Sequence, residues 1–166
     1  MVGISIMTTL NQDNKINIKI IQRLAYQVYE GNQILADLTT AQAILESNLL
    51  GSKPSTLAFK YNNLFGIKGK GTKGSVMLET WEEEKGKEVR LKQPFAWNAS
   101  IEDSLLQRKL LLENGTKNKP DRYHPVLKAK TFEEAARALV LGGYATDSKY
   151  ATKLINIYEK YLKPVK

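Results

Sequence analysis

The stretch Thr39-Thr40-Ala41-Gln42-Ala43-Ile44-Leu45-Glu46-Ser47 constrains this chain most, because it sets one carboxylate against a mostly apolar helical surface. Ala41, Ile44, Leu45, Leu49 and Leu50 recur at helical spacing and predict a face turned to a core. Thr39 with Gln42 three residues later has the pattern of a reciprocal cap, in which two side chains satisfy two orphan backbone donors. The spacing therefore predicts a helix from Thr39 to about Leu50, stopped by Gly51. Glu46 falls beside the apolar stripe and not opposite it. Two readings of its carboxylate follow. Partial burial would disfavour the charged form, which suits a group that gives up a proton near neutral pH. Alternatively it is a solvated helix residue, as charged residues mostly are.

The next punctuated stretch is Tyr61-Asn62-Asn63-Leu64-Phe65-Gly66-Ile67-Lys68-Gly69. Asparagines tolerate left-handed backbone and bond locally, and Gly66 permits close approach of another chain or a ligand. Leu64 and Phe65 read as core anchors of a turn. Before this loop, Pro54 could open a short helix over Leu57 to Lys60. Further back, Ile20, Ile21, Leu24, Ala25 and Val28 predict a helix over about Ile16 to Tyr29, ended by Gly31-Asn32. The first fourteen residues read as a lead-in.

Ser75 to Leu91 is the one convincing β stretch. Val76, Leu78 and Thr80 alternate with Met77, Glu79 and Trp81, and Val89 and Leu91 return around a Lys85-Gly86 turn. Such a hairpin is marginal alone and must lean on helices. Pro94-Phe95-Ala96-Trp97 leads into a helix from Ser100, with Ile101, Leu105, Leu106 and Leu112 inward and Gly115 as its stop. Pro120-Asp121-Arg122-Tyr123-His124-Pro125 reads as a loop, since prolines bracket it. Thr131 and Glu134 form a second capping pattern, opening a helix with Phe132, Ala135, Ala136, Leu139 and Val140 buried. Gly142-Gly143 ends it. Asp147 caps a last helix whose buried face is Tyr150, Leu154, Ile157, Tyr158 and Tyr161. The expected fold class is mainly α with one small β-hairpin, in a single domain over 1–166.

Composition narrows the chemistry. A length of 166 residues suffices for one real core. With no cysteine, disulfides and thiolate metal sites are excluded. One histidine, His124, would have to carry any His-based zinc site or Ser-His-Asp triad, and it reads better as a surface loop residue. No metal and no organic cofactor is expected. The net charge of +8 is spread over scattered lysines, not one stripe interleaved with aromatics. It therefore argues against a nucleic-acid groove and suits a dispersed polyanion, with an attraction that salt would weaken. No run reaches the length of a membrane-spanning helix, and Met1 to Leu10 lacks the pattern of a secretion signal.

Three blocks carry a resemblance: Ala41-Gln42-Ala43-Ile44-Leu45-Glu46-Ser47, then Tyr61-Asn62-Asn63-Leu64-Phe65-Gly66-Ile67-Lys68-Gly69, then Gly143-Tyr144-Ala145-Thr146-Asp147. In that order and spacing they resemble the bacterial and phage N-acetylglucosaminidases of glycoside hydrolase family 73, over about Ile16 to Lys163. The resemblance implies a lysozyme-like fold and a peptidoglycan hydrolase that cuts the GlcNAc-β-1,4-MurNAc bond. Its partners would be the glycan strands and, through the lysines, anionic wall polymers. The protein is expected to be a monomer acting at the bacterial cell wall, delivered by a phage as endolysin or virion enzyme, or cut from a longer exported chain.

Glycosidic cleavage ordinarily uses two carboxyl groups flanking the bond. The resemblance makes Glu46 the general acid. For the second, the hairpin offers Glu79, Glu82, Glu83 and Glu84, and charge alone does not choose among them. In the family's strand pattern a threonine precedes a glutamate by two residues. Thr80 then selects Glu82, with Glu79 as the rival from alternation, and Glu83 and Glu84 as a solvated tip. The same resemblance makes Tyr144 an active-site tyrosine that positions an acetamido group or water, and puts Asn62, Asn63, Phe65 and Tyr123 along the sugar-binding groove. The stretch Leu91-Lys92-Gln93-Pro94-Phe95 departs from the family pattern, where aromatic and basic residues are common. Lytic transglycosylases and muramidases share the helix and its glutamate, and a non-catalytic wall-binding domain of a virion is the rival outside catalysis.

Overall fold

The computed structural model describes residues 8–53 and 55–164. The readings placed on Met1 to Met7 and on Pro54 lie outside them. The elements run α1 (Asn14–Val28), α2 (Gln33–Glu46), α3 (Thr56–Tyr61), β1 (Ser75–Glu84), β2 (Lys87–Ala96), α4 (Ile101–Asn114), α5 (His124–Leu127), α6 (Phe132–Leu141) and α7 (Tyr150–Ile157). A π-helical turn, Tyr158–Leu162, extends α7. The class is the expected one, mainly α with a single hairpin. No helix among the described residues is long and apolar enough to cross a membrane.

Helix α2 is the axis of the fold, packed against α1, α6 and α7. Every residue from Leu35 to Ile44 is buried, so the helix is covered on all sides and not along one stripe. Ala36, Ala41 and Ala43 let neighbouring backbones approach closely. This overturns the expected start at Thr39. The cap is Asn32, whose side chain accepts from the Leu35 amide at 3.1 Å, and Thr39 lies mid-helix. There Thr39 Oγ1 bonds to the buried Tyr29 hydroxyl at 2.8 Å. Gln42 is likewise no cap but a buried polar side chain. The helix also ends earlier than expected, at Glu46. Ser47 closes it and bonds through Oγ to the Leu64 carbonyl at 2.7 Å, while Asn48 turns left-handed at φ +52°. Leu49 is consequently buried and Leu50 exposed.

Around this axis, α1 contributes Ile18, Ile21 and Ala25, capped by Asp13. The lead-in is tied down as well, with Thr8 bonded to the Glu102 carboxylate at 3.0 Å. In α4, capped by Ser100, the buried face is Ile101, Ser104, Leu105, Arg108 and Leu112; Leu106, expected inward, is exposed because it lies one residue off that stripe. The proline-bracketed loop contains a one-turn helix, α5, with Pro125 in its first turn, where a missing N–H costs nothing. His124 opens that turn, exposed, with Nε2 3.0 Å from the Glu113 carbonyl. The expected cap of α6 forms: Thr131 accepts from the Glu134 amide and Glu134 accepts from the Lys130 amide, both at 3.1 Å. Asp147 does not cap α7 directly; it binds the Lys149 amide at 2.9 Å and Lys153 Nζ at 2.6 Å, one turn ahead. After Ile157 the chain switches to i→i+5 bonding, Lys163 N to Tyr158 O at 2.8 Å. The wider turn rotates Tyr161 to the surface and puts Leu162 in the core instead.

The hairpin pairs Ser75 with Ala96 through Glu84 with Lys87, around Lys85 and Gly86, both at positive φ. That two-residue turn matches the twist of the strands. The return strand is longer than expected, running through Pro94, Phe95 and Ala96. Its base is what ties it down. Ala96 N bonds to the Ile67 carbonyl and Gly69 N to the Pro94 carbonyl, so the hairpin leans on the loop after α3.

Asp37 is buried in α2 with Gln33 Nε2 2.9 Å from its Oδ1. Burial pushes its carboxyl up, the Gln33 bond opposing. A carboxyl raised on folding weakens the fold above its folded pKa and not below its unfolded one. Asp37→Asn, which keeps the Gln33 contact, is therefore expected to raise the urea midpoint at pH 7, the gain vanishing near pH 3.5. Equal midpoints at pH 7 would count against this account.

Candidate active site

Glu46 is the last residue of α2 and is exposed, not partly dry. The reason is the early helix end: no further turn of α2 covers it, and the chain leaves through Ser47 and Asn48. Its carboxylate is nevertheless held. The Tyr150 hydroxyl, at the start of α7, donates to Glu46 Oε1 at 2.8 Å. Tyr150 is buried, and burial first, then the Glu46 charge, pushes its phenol far above the ordinary tyrosine range, so it remains a donor.

Behind Tyr150 the contacts continue inward. Gln42 Nε2 donates to the Tyr150 hydroxyl at 3.0 Å, and Arg108 Nη2 donates to Gln42 Oε1. Arg108 is fully buried, and its Nε and Nη1 have no hydrogen-bond partner among the described residues. Its guanidinium lies over the Tyr144 ring at 4.7 Å and 5.9 Å from the Phe65 ring. Such faces stabilise a desolvated cation.

Tyr144 follows the Gly142-Gly143 stop of α6, with Gly143 at φ +88°. Its ring meets Tyr150 at 5.7 Å and Tyr123 at 6.3 Å between centroids. Burial pushes its phenol up, the Arg108 charge opposes this and the Glu46 charge adds to it, so Tyr144 stands within electrostatic reach of Glu46. Tyr144 is half-buried and its hydroxyl bonds to no protein atom among the described residues. Glu46, Tyr144 and Tyr150 thus gather at one place, from the end of α2, the turn after α6 and the start of α7.

The remaining candidates are placed differently. Asn63 is buried and its side chain is consumed: Nδ2 donates to the Ile67 and Ala96 carbonyls at 2.9 and 3.0 Å, and Oδ1 accepts from the Ile67 amide at 3.0 Å. It braces the hairpin base. Asn62 adopts φ +51° at the end of α3 and donates to the Asn98 carbonyl at 3.0 Å, while its buried Oδ1 has no partner. Phe65 and Tyr123 are buried too, Phe65 against Arg108 and Tyr123 beneath Tyr144. All four side chains are thus largely covered: Asn63 bonds to the hairpin base, Asn62 to the Asn98 carbonyl just beyond it, and the two aromatics pack in the core.

Glu82 lies on the more shielded hairpin face. Gln93 Nε2 donates to its Oε1 at 2.6 Å, Thr80 Oγ1 at 3.2 Å, and Lys68 Nζ stands 3.5 Å away. Glu79 is on the opposite face with Met77 and Trp81, paired to Arg90 at 3.5 Å. No hydrogen bond, ion pair or electrostatic contact joins Glu82 to Glu46 among the described residues. The Gln93 bond first, then the Lys68 charge and the Thr80 bond, hold the Glu82 carboxyl below the ordinary glutamate range.

A family model described as mannosyl-glycoprotein endo-beta-N-acetylglucosaminidase matches residues 22–163. The chain belongs to the glucosaminidase family. It is similar to Exo-glucosaminidase LytG of Bacillus subtilis, 42% identical over 134 residues, covering 81% of this chain and 46% of that protein. It is similar to a probable N-acetylmuramidase of Lactococcus lactis subsp. cremoris, 33% identical over 150 residues, covering 89% and 34%. Among solved structures it is similar to the catalytic domain of the autolysin Auto of Listeria monocytogenes, with TM-score 0.79 and 31% identity, covering 93% of this chain and 88% of that one. The chain spans less than half the length of these two curated relatives. This glucosaminidase domain has the lysozyme-like fold.

Gln93, in the stretch that departs from the family pattern, supplies the shortest bond to Glu82. Gln93→Leu removes a donor that favours the ionised form. The Glu82 carboxyl is then expected to titrate at higher pH, followed by its side-chain carbon resonance. An unchanged midpoint would show that Gln93 does not hold it.

Proposed function

We propose that this glucosaminidase domain hydrolyses the GlcNAc-β-1,4-MurNAc bond of bacterial peptidoglycan, at the cell wall, with residues 1–166 as one catalytic unit. The observation that carries the reading is the Glu46 carboxyl, anchored at Oε1 by Tyr150 and open on its other side, in a chain of this family.

Glu46 is the general acid. Protonated, it gives its proton to the glycosidic oxygen as that bond to the anomeric carbon breaks, and positive charge develops on the sugar ring. Water then attacks the anomeric carbon and its proton passes to a base. Glu82, kept ionised by Gln93, Lys68 and Thr80, is the hairpin group suited to that part. Its shielded face favours it over Glu79. Tyr144, whose hydroxyl bonds to no protein atom among the described residues, orients the acetamido group, whose own oxygen offers a second route for the attack. The positive charge of the domain adds attraction to anionic wall polymers.

The lactococcal relative's name favours a second reading, cleavage on the far side of MurNAc. Product analysis of digested, purified peptidoglycan separates them. Reducing GlcNAc ends are expected; reducing MurNAc ends would make this a muramidase, and anhydro-MurNAc ends a lytic transglycosylase. The distribution of glycan lengths tells internal cutting, expected here, from release at chain ends. Glu46→Gln is expected to lower wall clearing on the order of a hundredfold or more, the range for losing a positioned acid, with wall sedimentation retained. Parental clearing by this variant would remove Glu46 from the chemistry.

A further inference from the structure

Among the described residues Arg108 has no carboxylate partner and no hydrogen bond or ion pair to Glu46; it has no place in the proposed proton transfers, yet it is fully buried with two of its nitrogens unpaired. A buried guanidinium kept in that state needs an account, since desolvating a charge without full pairing is costly. Its one hydrogen bond supplies the account. A guanidinium can only donate, so the oxygen of the Gln42 amide must face it. The amide nitrogen then faces Tyr150 and donates to the phenol oxygen at 3.0 Å. A phenol has one hydrogen, and with Gln42 as donor on one side that hydrogen points to Glu46 Oε1 at 2.8 Å. Each bond orients the next.

We infer that Arg108 is a positioning residue for the acid: through Gln42 and Tyr150 it fixes Glu46 Oε1 as a permanent acceptor and leaves Oε2 to carry the proton. Both protonation states of Glu46 are compatible with the chain, because Oε1 accepts from Tyr150 whether Oε2 is bare or protonated. Without Arg108 the Gln42 amide is free to reverse. Its oxygen then takes the Tyr150 hydrogen, and Glu46 loses its tether. The rings of Tyr144 and Phe65 hold the cation where this happens, 4.7 and 5.9 Å away, without supplying an acceptor that would compete for it. The chain runs from α4 through α2 to α7 and so links the deepest part of the core to an exposed carboxylate. This inference rests on Glu46 being the acid.

The test is a mutant cycle with Arg108→Met, Gln42→Met and Tyr150→Phe, assayed on soluble peptidoglycan glycan fragments. Each single variant is expected to lower kcat on the order of ten- to a hundredfold, the cost of slight misplacement, with KM near the parent value. Arg108→Met combined with Tyr150→Phe is expected to lose no more than Tyr150→Phe alone, because both cut one chain. Tyr150→Phe deletes a single oxygen and remains informative should either methionine variant fail to fold. Losses that multiply, losses in KM with kcat retained, or parental kcat in Tyr150→Phe would each overturn the inference. Crystal structures of the variants give a readout independent of activity. Glu46 is expected to leave its parental rotamer in both Tyr150→Phe and Arg108→Met. If Glu46 keeps it, the inference fails even where Glu46→Gln abolishes activity. If Glu46 moves while Glu46→Gln remains active, the tether stands and the catalytic reading falls.

Discussion

The contact on which the site depends is the one between the Arg108 guanidinium and the Gln42 carbonyl oxygen, inside the core. Burying a cation with one full hydrogen bond is unfavourable by itself, by several kcal/mol or more in order of magnitude. Two aromatic faces offset part of that cost, and the remaining freedom of the guanidinium is removed by packing, since Ile101, Leu105 and Leu112 share its helix face. What the molecule gains is direction. An apolar side chain at position 108 would leave the Gln42 amide free to take either orientation. A donor-only group leaves it one.

The burial of α2 makes that arrangement useful. Because Leu35 to Ile44 is covered on every side, polar side chains within it are forced to find partners from other elements. Thr39 finds Tyr29, Thr40 finds the Ala36 carbonyl at 2.7 Å, and Gln42 finds Tyr150 and Arg108. The helix is exposed only at its two ends, at Gln33 and at Glu46. An exposed carboxylate at the end of a buried helix is open to a large partner while its root stays packed. Partial burial of the carboxylate itself, expected from a longer helix, would have obstructed that access.

Most of the architecture was legible because apolar spacing is a local property: α1, the hairpin, α4 and α6 lie close to where periodicity put them. The errors come from tertiary context. Thr39 and Gln42 have the pattern of a cap, and only the neighbours of α2 show that the helix has already run six residues by then. Leu106 and Tyr161 fail on phase, since Leu106 lies one residue off the stripe that Arg108 completes and a π turn shifts Tyr161 outward. Glu46 and Tyr144 were named from the family blocks, and the structure brings them within electrostatic reach of each other. Asn62, Asn63 and Phe65 stand in a family block too, and Tyr123 was named from the same resemblance outside the blocks, but such likeness does not separate residues that shape a groove from residues that face it. Arg108 and Tyr150 were not singled out in the sequence. Tyr150 was read only as core. Arg108 did leave a signal: it continues the Ile101, Leu105, Leu112 spacing, so a charged residue stands on a buried stripe.

The two proposed carboxylates are supported in opposite ways, and the difference bears on the stereochemistry. Glu46 is fixed through α2, α4 and α7, whereas Glu82 is fixed only relative to its own hairpin and Lys68. The hairpin in turn is joined to the body at its base, where Asn63, Ile67 and Gly69 bond to Ala96 and Pro94. A small change of angle at that base displaces Glu82, near the far end of β1, much more than it displaces Phe95. On the proposed reading the separation of the two carboxyl groups, which divides inversion from retention, is therefore set by how the hairpin leans when a glycan lies against it. On the same reading the helix supplies the acid in either case, and the lean of the hairpin decides whether water or the acetamido oxygen attacks.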